Sequence, residues 1–232
     1  MNVVITGSSK GMGKAIAEKF ASEGNSLYLC ARNEKELSET AKEISEKYKT
    51  KVFYASADLG QKNTAVAFAD KVLKEFSSVD ILVNNAGQFI PGSIYNEEDG
   101  LLEKMIAINL YAAYHITRAL LPKMMERKQG HIFNTCSIAS LKAYANGGSY
   151  SISKFALMGF SKNLREELKP YDIKVTSVYP GAVYTSSWYG SGVPESRIMT
   201  SEDIAEMILA ASKLSPQACV EEIVIRPLKG DI

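Results

Sequence analysis

Seven short runs rich in apolar, β-branched and aromatic residues recur along the chain, at 2–6, 26–31, 51–56, 80–84, 131–136, 174–179 and 222–226, with amphipathic helical segments between them. Parallel strands need long crossover connections and are buried on both faces, so they read as near-continuous apolar runs rather than alternating ones. The pattern predicts an α/β fold, a doubly wound parallel sheet of about seven strands with helices on both faces. No repeat, low-complexity tract or linker-like stretch interrupts it, and 232 residues at 46% hydrophobic content suit one sizeable core. Residues 1–232 are therefore expected to form a single domain.

The first of these units carries a nucleotide-type turn. The run 2–6 leads into Thr6-Gly7-Ser8-Ser9-Lys10-Gly11-Met12-Gly13, followed by an amphipathic helix over 14–23. Glycines there let the backbone approach a pyrophosphate, and the helix N-terminus offers it free amides and the positive end of a dipole. A glycine triplet also simply joins strands to helices, but strand, turn and helix at the first unit is the Rossmann-like context in which it binds dinucleotides.

The second run ends in Ala31-Arg32. A dinucleotide without the extra phosphate is usually gripped there by an Asp or Glu on its ribose, a carboxylate that also repels a 2′-phosphate. Arg32 in that place can hold a phosphate through paired, charge-assisted hydrogen bonds. Lys10 is a second cation within reach, although it reads equally well as a solvent-facing charge. Both point to NADP(H), with NADPH preferred over NADH.

The stretch 137–154 carries the chemistry. Ser137 lies at the C-terminal end of the run 131–136, where open parallel sheets place their ligands. Gly147, Gly148 and Ser149 read as a turn and helix start, which puts Tyr150 and Lys154 at i and i+4 on one face. A phenol is a sluggish acid or base at neutral pH, and an ammonium nearby lowers its pKa. Ser137 can hydrogen-bond the same substrate oxygen. Taken alone, Tyr-x-x-x-Lys is also an ordinary helical pair.

Several function classes have little support. A net charge of +1 gives no electrostatic case for nucleic acid or an acidic membrane surface. Cys30, Cys136 and Cys219 have no metal-like spacing and read as reduced thiols, and His115 and His131 lack partners at ligand spacing, so no metal site is expected. No run approaches transmembrane length and no signal-peptide pattern follows Met1, so a cytoplasmic protein is expected. Pro122 is expected to end or kink the long helix through Asn109.

Taken in order and spacing, these motifs resemble the short-chain dehydrogenase/reductase family over essentially the whole chain. Besides Thr-Gly-x-x-x-Gly-x-Gly at 6–13, the match includes Asp58-Leu59, which in the family faces the adenine, and Asn84-Asn85-Ala86-Gly87 after the fourth strand. Asn109, Ser137, Tyr150 and Lys154 stand at the family's catalytic positions, and Pro180-Gly181, with Val183 and Thr185, at its nicotinamide-side loop. Cys136 and Ser140 depart from residues the family often fills with serine and glycine. The resemblance implies hydride transfer between a nicotinamide and a carbonyl or secondary alcohol. Tyr150 would protonate the oxygen, Ser137 orient it, Lys154 bind the ribose and lower the Tyr150 pKa, and Asn109 hold a relay water. It also implies a homodimer or homotetramer paired through the helices over 101–125 and 150–169.

The segment 185–199, with Trp188, Tyr189, Gly190, Gly192 and Pro194, reads as a flap over a moderately apolar substrate. The chain is most similar to 3-oxoacyl-carrier-protein reductase-like members. Sepiapterin-type and general carbonyl reductases share every motif. A nucleotide-binding regulator without turnover is the answer from a different class, and the intact Ser137, Tyr150, Lys154 and Asn109 weigh against it.

Overall fold

A computed structural model describes residues 1–232, the side chain of Ser187 excepted. Strands β1 (Asn2–Thr6), β2 (Ser26–Ala31), β3 (Val52–Ser56), β4 (Ile81–Asn84), β5 (Gly130–Thr135), β6 (Ile173–Pro180) and β7 (Glu222–Ile225) form one sheet in the order β3-β2-β1-β4-β5-β6-β7. Every neighbouring pair is parallel. The expected strands agree with these bounds to within one residue at each end.

Helices cover both faces. On one side α1 (Gly11–Ser22), α2 (Glu34–Tyr48) and α7 (Ser201–Ser212) bury Ile16, Phe20, Leu37, Ile44, Ile204 and Ile208 against Val3 and Ile5. On the other, α3 (Lys62–Glu75), α5 (Ala112–Arg127) and α6 (Gly148–Leu168) bury Phe68, Val72, Ile116, Leu120 and Leu164 against Val4 and Tyr28. Successive residues of one strand thus feed opposite cores, as the pleat requires. Among the described residues no helix is long and apolar enough to cross a membrane.

Strand order reverses between β1 and β4, so the loops after them diverge and leave a crevice at the carboxyl ends of the strands. The glycine turn, Arg32, Asp58, Leu59, Asn85, Ala86, Gly87 and Thr185 line that crevice.

The helix before β5 differs from expectation. A short α4 (Leu101–Ile106) passes through a π-turn at Ala107–Tyr111 into α5, and α5 continues through Pro122 to Arg127. Pro122 removes the bond to the carbonyl of Arg118, but both residues are exposed, so water can satisfy that carbonyl and the helix neither stops nor needs to.

Candidate active site

The glycine turn is tight for a physical reason. Gly7 and Gly11 have φ of 66° and 55°, and a Cβ on Gly13 would lie 2.1 Å from the Gly7 carbonyl oxygen. Asn85 donates from Nδ2 to the carbonyls of Thr6 and Gly7, both at 3.1 Å, and the Thr6 hydroxyl accepts from the amides of Asn85 and Ala86. The loops after β1 and β4 are thereby tied together. Lys10, the residue before α1, places no side chain on the first amides, and no acidic residue stands in that first turn. These donors stay available to an anion.

A cleft of about 400 Å³ opens above this turn. Gly7, Ser9, Lys10, Gly11, Met12 and Gly13 line it, as do Arg32, Asp58 and Leu59 at one end and Asn85, Ala86, Gly87 and Thr185 at the other. The shape and donor set fit a dinucleotide: cations at one end, bare amides in the middle, and a floor at Gly7 and Gly13 with no room for a Cβ. Pro180 closes β6, Gly181 donates to the Ile225 carbonyl at 2.8 Å, and buried Val183 pairs with Met199. Thr185 comes over the glycine turn, its methyl 3.3 Å from where a Gly11 Cβ would stand.

The remaining groups gather at the Gly87 end. A Cβ on Gly87 would sit 3.1 Å from Asn109 Oδ1 and 3.4 Å from Lys154 Nζ, so its absence lets both side chains reach the cleft wall. Asn109, on the π-turn, accepts from the Gln88 amide at 2.8 Å and donates to the Gln88 carbonyl at 3.0 Å and to Ser153 Oγ at 2.9 Å. Both of its N–H groups are taken. Buried Lys154 donates to the Thr135 carbonyl at 2.8 Å, and its Nζ lies 5.9 Å from the centre of the Tyr150 ring. Ser137 stands two residues beyond β5, where it caps a short 3-10 turn over Ile138–Ser140, and its hydroxyl accepts from the Ala139 amide at 3.1 Å.

Burial pushes the Tyr150 phenol up to about 12, while its hydrogen bond with Ser137 pulls the other way. Burial also brings the Lys154 ammonium down to about 8. Lys154 was expected to lower the Tyr150 pKa, but in this arrangement desolvation prevails, since Nζ is turned to the Thr135 carbonyl.

Four neighbours went unread in the sequence. Phe89 packs edge-on against Tyr150 with ring centres 4.8 Å apart, and Tyr144 lies close enough to raise the Tyr150 pKa further. Glu97 accepts from the amide and hydroxyl of Ser149. Glu36 lines the cleft beside Arg32 and pairs with Lys10 at 3.7 Å. Only Glu36 had a signal, standing three residues after Asn33, whose side chain accepts from its amide. The histidines lie apart: His131 is buried against Phe133 and Thr176, and His115 packs between Tyr111 and Tyr114. Among the described residues no three His, Cys, Asp or Glu converge on a metal-sized site.

Comparison with known proteins agrees with this architecture. The sequence profile described as short chain dehydrogenase matches residues 1–191. An uncharacterised oxidoreductase of Staphylococcus epidermidis is 32% identical over 227 residues, 97% of this chain and 96% of that one. Among solved structures, the alcohol dehydrogenase of the archaeon Thermococcus sibiricus, complexed with 5-hydroxy-NADP, superposes with a TM-score of 0.90 at 29% identity, covering 98% of this chain and 96% of that one. L-sorbose reductase of Gluconobacter frateurii, complexed with NADPH and L-sorbose, gives 0.89 at 29% identity, over 97% and 94%.

Proposed function

Because the chain is an oxidoreductase of the short-chain dehydrogenase/reductase family, we propose that it is an NADPH-preferring ketone reductase acting on a small carbonyl compound. The observation that carries this reading is the meeting of Tyr150, Ser137, Lys154 and Asn109 at the Gly87 end of a cleft whose far end holds Arg32 and Lys10. That set of groups, cations and bare amides in one cleft with a proton donor beside Gly87, suits a dinucleotide with its reactive ring at the donor. The NADP-type cofactors in the archaeal alcohol dehydrogenase and the sorbose reductase point the same way.

When bound, the nicotinamide supplies or accepts the hydride. The chain's own groups handle the oxygen. Tyr150, a phenol and so protonated at neutral pH, is the donor that reduction needs, and its Oη gives its proton to the carbonyl oxygen. Ser137 Oγ holds that oxygen in place and steadies the phenolate left behind. Lys154 adds positive charge beneath the ring. Asn109 ties the loop after β4 to α6, and both of its N–H groups are engaged in that tie.

Phe89 and Tyr144 flank Tyr150, which favours a flat or apolar substituent on the ketone. Both the acyl-carrier type and the general carbonyl type of reductase fit that wall. Like its resemblance family, the chain is further proposed to pair with a second copy through α5 and α6.

A panel of ketones and secondary alcohols, followed by absorbance of the reduced nicotinamide with both cofactors, tests the reading. Tyr150→Phe is expected to lower turnover at least about a hundredfold on the best substrate, with little change in cofactor affinity. Near wild-type turnover in this variant sinks the assignment.

A further inference from the structure

The helix that carries Tyr150 and Lys154 begins without a cap of its own. Gly147 precedes it and has no side chain to offer, so the first amides of α6 are orphans. One of them is met from a distance. The Glu97 carboxylate accepts the Ser149 amide at 2.8 Å through Oε1 and the Ser149 hydroxyl through Oε2. A carboxylate at this end also faces the positive pole of the helix.

The fit is close enough to dictate the residues around it. A Cβ on Gly148, whose φ is 33°, would lie 1.9 Å from Glu97 Oε1, and one on Gly92 would lie 2.7 Å from Glu97 Cγ. The same loop is held by two more bonds, from the Gly92 amide to the Asn146 carbonyl at 3.1 Å and from Ser93 Oγ to Asn146 Oδ1 at 2.8 Å. It also contributes Phe89 against the Tyr150 ring. Its base is fixed where Asn109 grips Gln88; the same Asn109 amide donates to Ser153 Oγ, which donates to the Tyr150 carbonyl at 2.7 Å. Tyr150 is therefore held by its ring, its carbonyl and the amide just before it.

We propose that Glu97 is a positioning residue for the reaction: it caps α6 from outside and fixes the direction of the Tyr150 hydroxyl toward the substrate oxygen. The inference rests on the proposed reductase reading. Without the carboxylate the first turn of α6 frays, and Tyr150 loses aim while the cofactor cleft, built from other loops, stays intact. A misplacement of about 1 Å in a reacting group can cost on the order of a hundredfold in rate.

The test compares Glu97→Ala, Glu97→Gln, Ser149→Ala and Tyr150→Phe on the best substrate of the panel. Glu97→Ala is expected to lower kcat about tenfold or more, with KM and NADPH affinity within about twofold, and to speed amide exchange at residues 148–151. Glu97→Gln, which still accepts from the Ser149 amide, restores most of the rate. Ser149→Ala loses less, and Glu97→Ala with Ser149→Ala is no worse than Glu97→Ala alone, because the two share one interaction. Wild-type kcat in Glu97→Ala, additive losses in the double variant, or a fall in cofactor affinity matching the fall in kcat would each overturn the inference. A Tyr150→Phe variant that remains active instead removes the reductase reading itself, and the exchange measurement still reports whether Glu97 caps the helix.

Discussion

Glu36 stands among the cations that the phosphate reading depends on. Its carboxylate lies 3.7 Å from Lys10 Nζ, accepts from the Ser9 hydroxyl at 3.4 Å, and lines the same cleft end as Arg32. A 2′-phosphate arriving there meets two cations and one like charge, so Glu36 opposes it and also occupies Lys10. Exposed ion pairs are worth about 0.2–1 kcal/mol, so Glu36→Gln is expected to tighten NADPH binding by about 1.4- to fivefold. Arg32→Ala should weaken it by about ten- to a hundredfold, the value of a hydrogen bond to a charged group. NADH should respond to neither. Titrating both variants with both cofactors by nicotinamide fluorescence checks this. If Glu36→Gln instead weakened NADH and spared NADPH, the carboxylate would be a ribose ligand and the cofactor preference would reverse. Arg32 was visible in the sequence because it stands where a strand end places a carboxylate. Glu36 showed only its place in a helix start three residues after Asn33; that the winding of α2 turns it back toward the glycine turn is a matter of packing.

The strands were legible almost to the residue, since burial on both faces leaves long apolar runs such as Val3-Val4-Ile5 and Ile81-Leu82-Val83 with polar residues or turns beside them. The helices were less so. Pro122 does not end its helix, because it stands on an exposed face, which the sequence does not state. The π-turn at Asn109 and the reach of Glu97 across 52 residues to Ser149 were hidden for a related reason. Both depend on how elements pack rather than on local propensity. Packing also leaves apolar groups outside. Ile152 and Phe155, nearly one turn apart on α6, are 41% and 38% exposed, and Tyr111 beside α5 is 46% exposed. These side chains are expected to be covered in a symmetric dimer or tetramer. Light scattering at micromolar concentration should show the oligomer, and Ile152→Lys with Phe155→Glu should shift it toward monomer. A wild type that is monomeric under those conditions contradicts the assembly.

The whole molecule should feel acid through His131. Its Nε2 lies 2.7 Å from Thr176 Oγ1, whose own proton goes to the Val220 carbonyl, so Nε2 is the donor. Burial, helped by Lys174, takes its pKa from 6.5 down to about 3. The unfolded chain then binds the proton more readily than the folded one, so this contribution is full above about pH 6.5 and is lost as pH falls toward 3. Between pH 7 and 4.5 it amounts to roughly 2–3 kcal/mol, so denaturant unfolding of the wild type should lose about that much more than His131→Gln. Parallel curves for the two proteins would show that His131 does not titrate in this way. The sheet that buries this ring also divides its side chains strictly, with Val3 and Ile5 in one core and Val4 in the other. Each strand therefore has something like a reading frame. A residue gained or lost in an exposed loop is absorbed locally, whereas the same change inside β1 sends every later side chain of that strand to the wrong core, corrupting both layers of the molecule at once.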